Sequence, residues 1–363
     1  MGNNDKIGLG DVSMTRRTVL KAAGAAVAMP LLSTRSWAKG KTIQVLTYTD
    51  PQTDYIRQHV VPTFEKDYDC KVLLTPSTTL ATVAMLRSQK SNPRFSVAMM
   101  DDVGIPLAKQ DGLIAPLPDK KIANLNAVFS KFVYQQQHGC AFAISAGAPY
   151  FASRLNPPVT SFADLWDPRF KGKLLIPTWK KTQSIFLLIA AAGLATGKPF
   201  DQAQYNLEPA WKKLAALKGN VQTAYEESGT AILQMNQGQA DVAGPDFSKV
   251  IVPYIKRGAE VDLSKPKEGA FAGVNCLTLV NNAPEPELGA AFINRMLDVN
   301  VQKGLSEFSF AAPSVRGVQL SKDVLDYVPY PESLLARLHV IDWEKINPQR
   351  QAILDRFNQL FGA

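Results

Sequence analysis

Histidine and cysteine are scarce: 363 residues contain three of each. No Cys-x-x-Cys pair or Cys/His cluster occurs, so neither a zinc site nor a redox motif is expected. An odd number of cysteines, Cys70, Cys140 and Cys276, excludes a full disulfide framework; a single Cys140–Cys276 bridge stays open. No internal apolar run is long enough for a membrane-spanning helix. The chain also lacks a Walker A loop, a Gly-x-Ser-x-Gly elbow, a His-Glu-x-x-His helix and a Gly-x-Gly-x-x-Gly turn. Nucleotide cofactors and the common hydrolase mechanisms are therefore unsupported, and no cofactor is expected. Charge is not clustered either. The formal net charge is +8, but no basic run is long enough to act as a nucleic-acid arm.

The remaining composition is that of a globular chain, 46% hydrophobic and 20% charged. Its length suits two lobes of about 150 residues once a leader is removed. That leader is expected at residues 1–38. Arg16-Arg17 precede Val19, Leu20 and Lys21; a weakly apolar stretch runs from Ala22 to Leu32, and Ser36 and Ala38 fit a cleavage site. The pattern is a cleaved twin-arginine export signal, which predicts a periplasmic protein. Val19 stands where such signals usually have phenylalanine. Beyond the leader, 35 basic side chains face 30 acidic ones.

The mature chain alternates strands and helices, the pattern of a parallel sheet covered by helices. Strands are expected at 42–47, 70–74 and 96–100, with helices at 54–67 and 78–89 between them. Two more strands follow at 141–145 and 150–155, then the Asn156-Pro157-Pro158 joint. The alternation restarts with strands at 173–177, 221–224 and 239–243 and helices at 183–192, 207–217 and 230–237. A long apolar strand spans 273–280, a helix 285–297, and helices continue from Val299 to the end. The fold class is thus α/β with two discontinuous lobes. Lobe 1 combines 39–144 with about 276–320, lobe 2 is 145–275, and 321–363 is a helical segment packing on both.

In open α/β sheets ligands bind beyond the carboxyl ends of strands. The loops expected there offer Tyr48, Thr49 and Asp50; Ser77; Asp101 and Asp102; Trp179, Thr182 and Ser184; Glu226 and Ser228; and Asp246, with Gly273 and Asn275 on the late strand. This mixture of hydroxyls, amides and carboxylates suits a polar small molecule. Helix starts at Ser184 and Ser228 would aim N–H groups at an anionic group. Each such hydroxyl is equally a plain helix cap, the aspartates could form turns or salt bridges, and Trp179 could pack in the core.

Several segments resemble the periplasmic solute-binding proteins of ABC importers, above all the polyamine-, iron(III)- and thiamine-binding branch. They are KQDGLIAPL (109–117), SFADLWDPRFKGKLLIP (161–177), MNQGQADVA (235–243) and PELGAAFINRML (286–297), in that order along the chain. The resemblance implies a type II fold with two lobes joined by crossing strands at Ala141–Ser145 and Gly273–Val280. It implies hinge closure on a solute and delivery to an inner-membrane permease with its ATPase, by a monomer that is not an enzyme. Polyamine binders resemble the chain at Pro266-Lys267-Glu268-Gly269, but carry tryptophan and aspartate where Gly273 and Asn275 stand. Tyr48 matches their first-loop tryptophan, and Val103 and Gly104 match aromatics. Iron(III) binders place tyrosines near Phe247-Ser248. The expected solute is therefore an organic anion or zwitterion, with Lys180 and Lys181 nearby. Asp50, Asp101, Glu226 and Asp246 keep a polyamine as the alternative. Thiamine-degrading enzymes share the fold and use an interface cysteine, which makes Cys140 the candidate nucleophile of an enzyme reading.

Overall fold

The computed structural model describes residues 40–362. The leader expected at 1–38 lies outside them. No helix among the described residues is long and apolar enough to cross a membrane.

Among the described residues eleven strands form one sheet: β1 (Lys41–Thr47), β2 (Cys70–Pro76), β3 (Val97–Asp101), β4 (Ile114–Ala115), β5 (Val133–Tyr134), β6 (Gly139–Ala152), β7 (Leu174–Pro177), β8 (Val221–Tyr225), β9 (Val242–Phe247), β10 (Val261–Leu263) and β11 (Phe271–Val280). The main path runs β2-β1-β3-β11-β6-β9-β7-β8. Its outer thirds are built alike. β1 pairs in parallel with β2 and β3, and β7 pairs in parallel with β8 and β9. Each is a strand–helix–strand–helix–strand unit whose first strand lies in the middle. Between them β11 and β6 run antiparallel, Gly273 opposite Ser145 and Asn275 opposite Ala143. The carboxyl ends of both parallel units thus meet along the two central strands, the placement that opens a ligand site in α/β sheets.

Three expectations change here. The strands expected at 141–145 and 150–155 are one strand, β6. It passes Pro149 because Gly244 and Pro245 of β9 oppose that residue as a bulge, with Ala148 paired to Asp246 and Tyr150 to Ala243. A bulge tolerates residues that cannot donate to the ladder. Gly244 has φ +104°, and a Cβ there would meet the Pro149 Cα at 3.2 Å, so the bulge needs glycine. The strand expected at 239–243 is shifted to 242–247 for the same reason. Asp246, expected in a loop, then lies in the strand end, which is followed directly by a helix, Ser248–Lys256, that the residue pattern did not suggest. Finally, the first helix starts at Pro51, not Asp54, because Asp50 caps it by accepting from the Gln52 N–H.

Each parallel unit buries its own apolar core. One gathers Leu46, Met100, Ile105, Ile144 and Cys276; the other gathers Phe162, Leu174, Phe186, Leu188 and Phe271. The C-terminal segment joins both. Val324, Val328 and Leu338 enter the first core, and Ile341, Trp343 and Phe357 the second.

Candidate functional site

A cavity of about 150 Å³ lies between the two sets of strand ends. Tyr48, Asp101 and Asp102 line it from the first parallel unit, Thr182, Phe186, Phe247 and Lys249 from the second, and Ser145, Gly273 and Asn275 from the central strands. Six of the fourteen expected residues therefore meet there: Tyr48, Asp101, Asp102, Thr182, Gly273 and Asn275.

Its centre is a charged chain of contacts. Asn275 stands opposite Asp101 in the β11–β3 register; its Nδ2 donates to Asp101 Oδ1 at 2.8 Å. Thr79, in the first turn of the helix after β2, donates to Asp101 Oδ2 at 3.0 Å and accepts from the Asp101 N–H. From across the cavity Lys249 Nζ donates to Asn275 Oδ1 at 2.7 Å and Asp50 Oδ2 at 3.2 Å. It also lies 5.7 Å from the centre of the Tyr48 ring. One cation of the second unit thus reaches the first unit and a central strand together.

Burial pushes the Asp101 carboxyl above the usual range, while Lys249 and the Thr79 and Asn275 hydrogen bonds pull it back. Asp102 is raised well above that range, by burial and then by the charge of Asp101. The second carboxyl therefore resists ionising beside the first. Its Oδ2 makes no well-aligned hydrogen bond, although the Trp343 indole stands close enough to favour the charged form, and Ser145 Oγ is unpaired; the Tyr48 hydroxyl sits beside Asp101 and Asn275 and steadies both. Asp102 Oδ2 and Ser145 Oγ, both lining the cavity, therefore keep bonding capacity that a polar solute can fill.

The other expected residues lie differently. Asp50 adjoins the cavity through Lys249, and Thr49 is exposed beside it. Ser77 is buried, donating its N–H to the Thr47 carbonyl and its hydroxyl to the Thr78 carbonyl. Ser184 Oγ donates to the Trp179 and Lys181 carbonyls, closing the helix start on itself. Glu226 is exposed, and its carbonyl accepts from Lys181. Trp179 stacks on Phe357 and Phe361 of the last helix, Arg350–Phe361. Asp246 is fully buried and saturated, with Ser228, Gln183 and Tyr225 all donating to it. Trp179, Ser228 and Asp246 do not line the cavity.

Lys249, Phe247, Phe186 and Ser145 were missed. Phe247 explains the bare position at Gly273: a Cβ there would lie 2.2 Å from the Phe247 ring. A large side chain at 273 and Phe247 exclude each other. The only signal for Lys249 was its place three residues beyond Asp246, just past the stretch expected to be a loop. Cys140 is fully buried, and burial pushes its thiol up to about 12. It does not line the cavity, and a thiolate there is suppressed. All three cysteines are free. Among the described residues no cluster of side chains could hold a metal ion.

A sequence profile of the bacterial extracellular solute-binding proteins matches residues 59–332. The spermidine/putrescine-binding periplasmic protein of Escherichia coli is 23% identical over 292 residues, 77% of this chain and 82% of that protein. Among solved structures, an ABC transporter protein of Clostridium perfringens superposes with a TM-score of 0.79 at 21% identity, covering 88% of this chain and all of that one. An ABC transporter substrate-binding protein of Bradyrhizobium japonicum gives 0.74 at 16%, covering 88% and 99%. The structural likeness identifies the type II fold of periplasmic binding proteins.

Proposed function

The chain belongs to the bacterial extracellular solute-binding proteins, and from that premise we propose that it is the periplasmic capture component of an ABC importer, closing on a small zwitterion or organic anion. The observation that carries the solute class is Lys249. A cation on one lobe, bridged to Asp50 and Asn275 on the other side of the cavity, is poised to exchange those partners for a solute carboxylate. Asp101 and the open Asp102 oxygen then receive an amine on the same solute. The cavity has room for about five water-sized groups, which suits a compact molecule.

A polyamine is the second reading. Asp50, Asp101 and Asp102 favour it, and so do the names of the curated relatives. Lys249 inside the cavity opposes it, because bringing another cation beside a half-buried one is unfavourable. Phe247 over Gly273 removes the place of a second aromatic wall. An enzymatic use of Cys140 has no support from its burial and raised thiol.

In this reading lobe 1 comprises 39–144 and about 276–320, lobe 2 comprises 145–275, and the segment 321–363 packs on both. β6 and β11 act as the hinge, and solute contacts to both lobes shift the population toward the closed form. The segment 1–38 is removed during twin-arginine export, and the mature protein works as a monomer with the permease and its ATPase.

Thermal melting against amino acids, dicarboxylates, putrescine, spermidine and thiamine tests the solute class. At about 100 times its Kd a solute stabilises by roughly 2.7 kcal/mol, a shift of at least a degree or two. An amino acid or carboxylate should raise the midpoint and polyamines should not. A shift with polyamines alone overturns the assignment of Lys249 to the solute.

A further inference from the structure

Behind the hinge lies a second cavity, of about 630 Å³. The alternation of a strand places it on the opposite face from the cleft. On β6 Ser145 lines the cleft, whereas Ala146 and Ala148 line this cavity. In the next lobe Phe247 and Lys249 face the cleft, whereas Ser248 faces the cavity and accepts from the Ala146 N–H at 3.2 Å. The β10–β11 connection and the C-terminal segment from Leu325 to Leu338 close the other sides.

Its volume falls in the range of about 300–1,000 Å³ usual for small-molecule sites, which are mostly apolar with a few placed polar groups. Leu325 and Leu334, 38% and 43% exposed, both open onto it. Ser264 also lines it, only 5% exposed, with a hydroxyl that has no partner. Lys265 and Arg337 are exposed lining cations, and neither forms an ion pair among the described residues. Of the lining acids, Asp326 pairs with Lys322 at 2.7 Å and also lies in the field of Lys265 and Lys256; with it paired, Asp262 is the lining acid left against Lys265 and Arg337. The side chains are therefore complementary to a molecule with an apolar body and one negative end.

From this lining we infer that the cavity behind the hinge is a second ligand site, taking an amphipathic monocarboxylate. The chain of the ligand lies against Leu325, Leu334 and Leu338. Its carboxylate pairs with Lys265 and Arg337 and accepts a hydrogen bond from Ser264 Oγ. The assignment is independent of what the cleft binds. Because the ligand would touch β6 on the face opposite the solute, its occupancy is placed to bias hinge closure.

Titration calorimetry of the purified protein with decanoate tests it, with butyrate and decylamine as controls. Saturable binding of one decanoate is expected, more than about a hundredfold weaker for butyrate, which lacks six methylenes, and none for decylamine. The Lys265→Glu/Arg337→Glu double variant, altered only at exposed side chains, should lose at least tenfold in decanoate affinity. Leu334→Asp should lose as much, whereas Lys249→Met should keep saturable decanoate binding, its affinity altered only by the shift in hinge equilibrium. Absence of saturable binding overturns the site. So does binding indifferent to the charge reversal, or binding lost in Lys249→Met, which would put the decanoate in the cleft.

Discussion

The third strands of the two parallel units, β3 and β9, both carry an aspartate near their carboxyl ends, and the two aspartates live in opposite circumstances. Asp246 is sealed and satisfied: Gln183 Nε2, Ser228 Oγ and the Phe247 N–H donate to it at 2.8, 2.5 and 2.8 Å, and the Tyr225 hydroxyl at 3.2 Å. Asp101 shares its bonds with Thr79 and Asn275 beside an opposing cation, and its neighbour Asp102 leaves an oxygen without a well-aligned hydrogen bond. In the proposed reading one strand-end position is scaffold and the other a place for a ligand. Their chemistry differs in how many lone pairs the protein itself fills. A carboxylate saturated by its own fold has nothing to offer a solute, whereas an unsatisfied one is costly until something binds.

Removing Asp246 should break the comparison most severely. Asp246→Ala strands Gln183, Ser228 and Tyr225 as buried unpaired donors, and should cost about 4 kcal/mol of stability. Denaturant unfolding should show a lower midpoint, while any folded fraction keeps its solute preference. A variant with unchanged stability and lost solute binding would mean that Asp246 belongs to the site. The mirror-image outcome is expected for Lys249→Met, which keeps the stem and removes the charge. Solute affinity should fall by roughly thirtyfold, about 2 kcal/mol, with less than about 1 kcal/mol lost in stability, since the bridge to Asp50 is partly solvated. Calorimetric titration with the solute found by melting reads that difference. Tighter binding of putrescine by Lys249→Met than by the parent chain would favour the amine reading.

Much of the fold was legible in the sequence because strand and helix periods are local. The two restarts of alternating elements, the long strand at 273–280 and the helix at 285–297 all occur close to where the residue pattern put them. The site was legible only as a set of strand ends. Asp101 and Asp246 read identically along the chain, and what separates them is the partners supplied by residues 18 to 174 positions away. Trp179 looked like a stacking platform for a solute, yet the rings it stacks on lie in the last helix, nearly 180 residues later. Lys249 was hidden by one structural detail, the bulge opposite Pro149 that lengthens β9 and starts a helix at Ser248. Gly273 was recognised as a missing aromatic, but not that Phe247 had taken its space.

The smallest effect is the most informative about the solute. Asp102 holds its proton to a higher pH in the folded chain than in the unfolded one. Between those values the folded state binds more protons, so stability falls as pH rises through the window and is restored below the ordinary carboxylate range. Asp102→Asn has no proton to lose, so its advantage over the parent should be a few degrees of melting temperature near pH 8 and should vanish near pH 4. Asp101, also raised, keeps part of the slope in both proteins. Parallel pH profiles would mean that Asp102 ionises freely. The same proton reports on what binds. An ammonium group set against the open Asp102 oxygen stabilises the ionised form, so binding should release protons. A carboxylate placed there instead should retain them or take more up. Calorimetry of solute binding in two buffers of different ionisation enthalpy counts those protons. Release that disappears in Asp102→Asn would place the amine of the solute at Asp102 and its acid at Lys249. Proton uptake would reverse that orientation.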